Sequence, residues 1–233
     1  TQISQKTVGI TGTLEAVDKA GRKSEKAYQL AKASSEIKRD MELTLLNNTV
    51  QSNGSAGSTA RVLGGLQTWL ASNTSNGTGG SAGASGTTAR TNGTDRTFTE
   101  ALLQSVVKSV FTSGGSPKVL MVTPSHKQTV SAFAGIAAQR YMAPSNEPTT
   151  IIGAADVYMS DFGTISVVPN RFMRTRDALV LDPEYAAVAY LRPFATNELA
   201  KAGDAEKTQI LAELTLEMRN EAAHGIAADL ATS

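Results

Sequence analysis

The sequence predicts an α+β protein, and three observations carry that expectation. Ser24 to Asn48 holds no Gly and no Pro and is built mostly from good helix formers, so it reads as one long helix of about 37 Å at ~1.5 Å rise per residue. The last third is rich in short runs whose apolar residues recur every second position, the period of a strand. Between these regions, Ser52 to Arg96 changes composition to Ser, Thr, Asn, Gly and Ala, and ten of the 20 glycines fall there, which marks loop. At 233 residues the chain is long enough for one large domain or two smaller ones sharing a core.

Taken in order, Thr1 to Thr13 reads as an extended arm or strand, with Ile3, Val8 and Ile10 its only sizeable apolar side chains. Three such residues bury too little to fix an arm on its own core against ~1 to 2 kcal/mol of backbone entropy per residue, so the expectation is pairing along a neighbouring subunit's edge. Lys6 and Lys19 would then meet part of the acidic excess in residues 149 to 233 of that neighbour. Ser24 is a fitting N-cap. Ala27, Leu30, Ala31, Ser34, Ile37, Met41 and Leu45 form the apolar stripe of the helix, and its charged residues read as a solvated face.

Within the loop region, Arg61 to Ala71 is an island with the only Trp, expected to dock as a short turn or helix. Ser72 to Asn92 offers little to bury and is expected to be a mobile surface loop; no internal repeat is apparent. Thr97 and Glu100 make a capping box for a helix ended by Gly114 and Gly115. Lys118 to Thr123 is of strand length, and Thr123 with Pro124 starts a helix expected to reach about Met142, followed by a linker from Ala143 to Thr149. Val157, Met159, Ile165 and Val167 flank a turn and suggest a hairpin. Ala178 to Leu181 and Ala186 to Leu191 are further strands, and the alternation of Leu214, Leu216 and Met218 reads as a strand in a stretch whose propensity favours helix.

Composition narrows the function classes. Lys and Arg total 22 against 21 Asp and Glu, so the net charge advertises neither a nucleic-acid-binding nor a membrane-surface protein. The chain lacks Cys, which removes disulfides, thiolate metal sites and thiol nucleophiles together. It has no run of 18 apolar residues and no signal-peptide pattern, so the expectation is a soluble product that crosses no membrane. Asp161-Phe162-Gly163 lacks the other kinase motifs and reads as a turn. Ser35 and Ser105 begin S-x-x-K without a KTG, and Gly77, Gly79 and Ala82 fit G-x-G-x-x-A without a preceding strand or a following helix. His126 and His224 stand far apart and read as surface or capping residues, so no catalytic, cofactor-binding or metal-ligating set is expected. Five N-x-[ST] sequons raise a secreted, adhesin-type structural protein as an alternative, although Asn, Ser and Thr richness generates them anyway. Arg171, Arg174 and Arg176 form the one basic cluster, suited to phosphate contact or to an interface set of ion pairs, the second being the commoner use.

Several blocks in order then carry a resemblance: TQI...GTLEAV, EIKRDME in the long helix, GGLQTWLASN, TEALLQSVVKSVFTSGG, VYMSDFGTISVVPNRFMR, LDPE, YLRPF and LAKAGDAEKTQILAELTLEMRNEAAHGI. Together they resemble the tailed-phage major capsid proteins of the Hong Kong 97 fold, over nearly the whole chain except the glycine-rich loop. The resemblance implies a Hong Kong 97-like capsid fold with a long spine helix, a peripheral domain, an axial domain and a partial elongation loop. On that reading 1–23 is the elongation-loop return strand and connector, 24–50 the spine helix of the peripheral domain, 51–96 the loop region, 97–193 the axial domain and 194–233 the return to the peripheral domain. The first residue is Thr, and the outgoing elongation-loop strand is absent, which leaves prohead processing or an unrecorded upstream segment open. The implied function is a non-enzymatic major capsid protein assembling through hexamers and pentamers around double-stranded phage DNA, held by non-specific contact. Cement or decoration protein, portal and scaffold are implied as further partners, with assembly in the host cytoplasm and residence in the virion. An encapsulin-like nanocompartment of the same fold is the alternative. Ile3, Lys6, Val8, Ile10, Arg171, Arg174 and Arg176 are the expected inter-subunit contacts.

Overall fold

The computed structural model describes residues 1–18, 20–133, 157–201 and 203–232. In chain order its elements are β1 (Gln2–Thr11), α1 (Gly12–Ala16), α2 (Glu25–Leu46), α3 (Leu66–Trp69), β2 (Thr74–Ser75), α4 (Glu100–Thr112), β3 (Val119–Val122), α5 (Pro124–Ser131), β4 (Val157–Ser160), β5 (Gly163–Pro169), β6 (Ala178–Leu181), β7 (Ala186–Glu198), β8 (Ala205–Met218), a 3-10 turn (Glu221–Ala223) and β9 (Gly225–Ala227). The chain divides into two units, the first comprising Thr1–Leu45, Gln51–Leu63 and Val188–Glu217, the second Leu46–Val50, Gly64–Ala187 and Met218–Ser233. The expected boundary at 193/194 therefore falls inside β7. Two other expected spans divide as well: 64–96 and 218–233 belong to the second unit, the latter because β9 pairs with β6 and β2 there.

The first unit is a three-stranded antiparallel sheet, ordered β1-β8-β7, with α2 packed on one face. The period of two in β8 places Thr208, Ile210, Ala212 and Leu214 inside, which bears out a strand where propensity favours helix. Ala33, Ile37 and Met41, four residues apart, present one face of α2 to Ile210, Ala212 and Leu214, with Val8, Leu30, Leu45 and Leu63 closing the margins. Ser24 accepts the Ala27 N–H and caps the helix as expected. The buried stripe is rotated from the expected one, since Ala33 is buried while Ala27 and Ala31 are exposed.

The arm expected to pair with a neighbour pairs at home. β1 runs antiparallel to β8 in continuous register from Gln2↔Leu214 to Thr11↔Ala205. Main-chain hydrogen bonds, rather than three apolar side chains, supply what offsets its ordering entropy. Strand parity also separates residues that the sequence reading grouped: Val8 and Ile10 turn inward, whereas Ile3 lies on the other face and is 39% exposed.

The second unit is a six-stranded mixed sheet ordered β2-β9-β6-β3-β5-β4. β3 lies parallel to β5 and antiparallel to β6, and β4 and β5 form the expected hairpin around Asp161-Phe162. Leu103, Val106, Val107 and Val110 of α4 pack on Leu120, Val122, Ile165, Val167 and Val180 of the sheet. The cap of α4 is Thr99, which accepts the Leu102 N–H, and not Thr97; Phe98 is drawn into the core and keeps the chain extended until it is past. Thr123 caps α5 with Pro124 in its first turn, as expected, but the proposed continuation to Met142 and the linker after it lie outside the described residues.

Candidate functional site

The loop region is the part of the chain that sequence reasoning misjudged most. Asn73 and Arg90 are buried, and the segment between them is folded into the second unit. Within it, residues 81–91 form a small arch closed by bridges Ser81↔Thr91 and Ala84↔Thr88. The arch sits on the Trp69 turn. Gly86 donates its N–H to the Thr68 carbonyl at 3.1 Å and lies against the Trp69 ring, and a Cβ added at Gly83 would stand 2.7 Å from Thr68 Cα. Only glycine allows an approach that close. Asn48 pairs with both the N–H and the carbonyl of Arg90 at 2.8 and 2.9 Å, and the Arg90 guanidinium bonds Asn76 and, at 3.4 Å, the Leu70 carbonyl.

Asp229 closes the same segment at its base. Its carboxylate accepts the Gly77 N–H at 2.9 Å and the Gly93 N–H at 2.8 Å, pinning both ends of the loop, and approaches Arg176 at 3.4 Å. Its backbone is left-handed, with φ 58°, and its carbonyl accepts the Arg96 N–H at 2.8 Å. Polar pairing of this kind, rather than apolar burial, fixes a Ser/Asn/Gly tract to the second unit. The expectation of a mobile surface loop is therefore corrected.

A second arch of the same construction spans residues 52–62 in the first unit, closed by bridges Ser52↔Val62 and Ser55↔Thr59. Aligned at an offset of 29, the two are identical at six of eleven positions: Ser52/Ser81, Gly54/Gly83, Gly57/Gly86, Thr59/Thr88, Ala60/Ala89 and Arg61/Arg90. The chain thus does hold an internal repeat, hidden in the sequence by low complexity. Unlike its twin, the first arch exposes every residue from Ser55 to Arg61, and nothing lies within 4 Å of where a Cβ of Gly57 would be.

The basic cluster serves the fold of its own chain. Arg174 bonds Gln67 at 3.0 Å and Asn92 at 2.6 Å and lies 3.5 Å from buried Asp177. Arg176 holds Asp95, Asp229 and, at 2.6 Å, the Gly93 carbonyl. Arg171 is exposed. Burial pushes the Asp177 carboxyl up and the Arg90 guanidinium down from their ordinary values, each opposed by the charge of the other. In the first unit Lys6 pairs with Glu36 of α2. Glu213, on the sheet face opposite α2, accepts Thr1, Arg61 at 2.9 Å and Arg192 at 2.8 Å, and the Thr1 hydroxyl leads these in holding its carboxyl below the usual range.

Both histidines are buried, which corrects the surface reading. His126 Nε2 donates to the Thr175 carbonyl at 2.8 Å, and His224 Nδ1 accepts the Asp182 N–H at 3.1 Å. Burial is the leading cause that lowers each imidazole's pKa. Among the described residues no group of His, Cys, Asp and Glu is placed to hold a metal ion, and no helix is long and apolar enough to cross a membrane. The described surface instead presents apolar faces on strand edges. β7, at the edge of its sheet, exposes Tyr190 (49%), Leu191 (65%) and Phe194 (39%). The β4 edge exposes Val157 and Met159 near a Phe111/Phe162 ring pair 4.9 Å apart.

A long helix on a three-stranded sheet in one unit, and a mixed sheet with an α-helical face in the other, make up the Hong Kong 97-type fold of shell-forming proteins. The fold matches that of the cyanophage A-1(L) capsid, with TM-score 0.71 and 12% identity over 98% of this chain and 77% of that one. It also matches the capsid of an empty GTA particle, with TM-score 0.59 and 11% identity over 99% and 74%. The holo-SrpI encapsulin of Synechococcus elongatus is similar too, at TM-score 0.63 and 10% identity over 100% and 75%. The chain belongs to the SU10 major capsid protein family, whose model matches residues 1–231. It is 26% identical to the major capsid protein of Escherichia phage Phieco32 over 262 aligned positions, covering 97% of this chain and 74% of that protein. It is a phage major capsid protein and a component of the virion.

Proposed function

We propose that the protein assembles through hexamers and pentamers into an icosahedral shell that encloses double-stranded DNA, in the host cytoplasm, without catalytic activity of its own. The observation that carries this reading is membership of a capsid family over residues 1–231. In it the first unit acts as the peripheral domain around the spine helix α2, and the second as the axial domain. β1 is the return strand of a partial elongation loop. Scaffold, portal and a cement or decoration protein are the further partners in this reading, and contact with DNA is non-specific, in keeping with a chain of net charge +1. Exposed Ile3 and Arg171 are the inter-subunit contacts in this reading, while Lys6, Val8, Ile10, Arg174 and Arg176 have partners within their own chain. The test is the content of purified particles. Nuclease-protected double-stranded DNA supports the reading, whereas an enzyme cargo without nucleic acid makes the shell a nanocompartment.

A further inference from the structure

We propose that the arch 52–62 is an assembly contact that seats on the β7 edge of a second copy of this chain, an inference that rests on the shell-forming reading above. The twin arch shows what this backbone shape packs against. Residues 81–91 take up an aromatic ring and a main-chain carbonyl, those of Trp69 and Thr68, through Gly86, with Gly83 close against the Thr68 backbone. Arch 52–62 keeps the matching Gly57, and its tip is exposed with open space there, while Gly54 packs against Thr59 and Arg61 of the arch itself. Residues 52–60, SNGSAGSTA, carry no charged side chain, so seating the tip takes no ion out of water. A core position would require a loop this small and polar to be paired, as its twin is; left bare, it is a surface awaiting its ring and carbonyl.

β7 offers that chemistry. Among the described residues it is the terminal strand of β1-β8-β7, with one main-chain edge unpaired by the sheet, and it exposes Tyr190, Leu191 and Phe194. Tyr190 and Phe194 stand with ring centroids 6.1 Å apart, an aromatic pair on one side of the strand whose Phe194 ring has Lys38 Nζ 5.9 Å from its centroid. The arch and β7 also share a location. Arg61 at the arch's root and Arg192 in the middle of β7 clamp the two oxygens of the same buried carboxylate, Glu213. An assembly that brings this end of the sheet against the same end of another copy therefore brings arch and β7 together, in a contact that every copy can repeat.

The test uses the exposure of Ser58. Ser58 is replaced by photoreactive p-benzoylphenylalanine, and assembled particles are irradiated beside unassembled subunits. The expected product is a covalent dimer, in particles only, at about twice the chain's 24.4 kDa, with the crosslink mapped by mass spectrometry to 186–198. Separately, Ser58→Glu and Tyr190→Glu should each reduce particle yield at least about tenfold while leaving the circular-dichroism melt of the subunit unchanged, because both positions are exposed. Crosslinks only within one chain, to another part of a second copy, or to a different protein overturn the proposal, as do particles that form normally with both glutamates. If the unmodified protein forms shells and no 186–198 crosslink appears, this contact alone is wrong; if it forms no shells, the shell-forming reading falls with it.

Discussion

Gly86 and Gly57 occupy equivalent places in the twin arches, and substituting each by Ala separates packing from backbone strain. Both have positive φ, +71° and +82°, so an L side chain at either costs ~1 to 2 kcal/mol in strain. At Gly57 the added methyl meets nothing within 4 Å, and strain is the whole effect. At Gly86 the methyl would lie 2.8 Å from Cε2 and Cζ2 of Trp69, a ring whose Nε1–H also donates to the Gly64 carbonyl at 3.2 Å, so the ring cannot swing away freely. Overpacking of that kind adds ~1 to 3 kcal/mol. Gly86→Ala should therefore cost about 2 to 5 kcal/mol in all, or roughly 5 to 15 °C in thermal midpoint at ~3 °C per kcal/mol. Gly57→Ala should lower the midpoint by no more than about 6 °C by the same conversion. Because Trp69 is the only Trp, its fluorescence is the assay: emission changes before unfolding in the Gly86 variant and stays at the wild-type position in the Gly57 variant. Equal midpoints and unchanged emission in both would refute the claim that the glycine-rich arch packs on Trp69.

Asp229→Ala should destabilise the second unit by about 3 to 5 kcal/mol, since it strands the Gly77 and Gly93 N–H groups and leaves Arg176 one carboxylate fewer, and Asp229→Asn should cost less; urea titration followed at Trp69 distinguishes the two. Leu214→Ala should cost about 2 to 5 kcal/mol and Thr215→Ala under ~1, because only Leu214 faces α2; equal losses in thermal melts would speak against the strand. Both buried imidazoles have folded pKa values below the unfolded ~6.5, so the unfolded chain binds more protons as the solution is acidified. Stability from these residues is therefore complete above about pH 6.5 and declines below it, and melts at pH 7.5 and 5.5 should converge in a His126→Gln/His224→Gln variant relative to wild type. Removing Gln2–Thr11 should abolish the cooperative melt of the first unit, since it strips ten register pairs from β8; retention of that melt would mean that β1 is dispensable.

The elements most legible in the sequence were those in which one period dominates. The 3.6-residue spacing of α2 and α4 and the alternation in β8 each put apolar residues on a single face, and those faces are the cores of the two units. Parity was available for β1 as well. Ile3 cannot share a face with Val8 and Ile10, yet grouping the three by hydrophobicity alone obscured that. What composition could not reveal was pairing at a distance: β1 gains its partner some 200 residues away, and Asp229 meets Gly77 and Gly93 across 152 and 136 positions. For the same reason His126 and His224 read as surface residues, since their burial depends on Thr175 and Asp182. The S-x-G-x-x-G-x-T-A-R repeat was a signal within reach, present at 52 and 81 but masked by the surrounding glycine and serine.

The most direct measurement is cryo-electron microscopy of particles formed by the protein. Closed icosahedral shells are predicted, built of hexamers and pentamers whose subunit density places α2 on the β1-β8-β7 sheet and the 81–91 arch on Trp69 within one chain. A protein that stays monomeric under assembly conditions, or shells in which β1 pairs with a neighbour's β8, would contradict it.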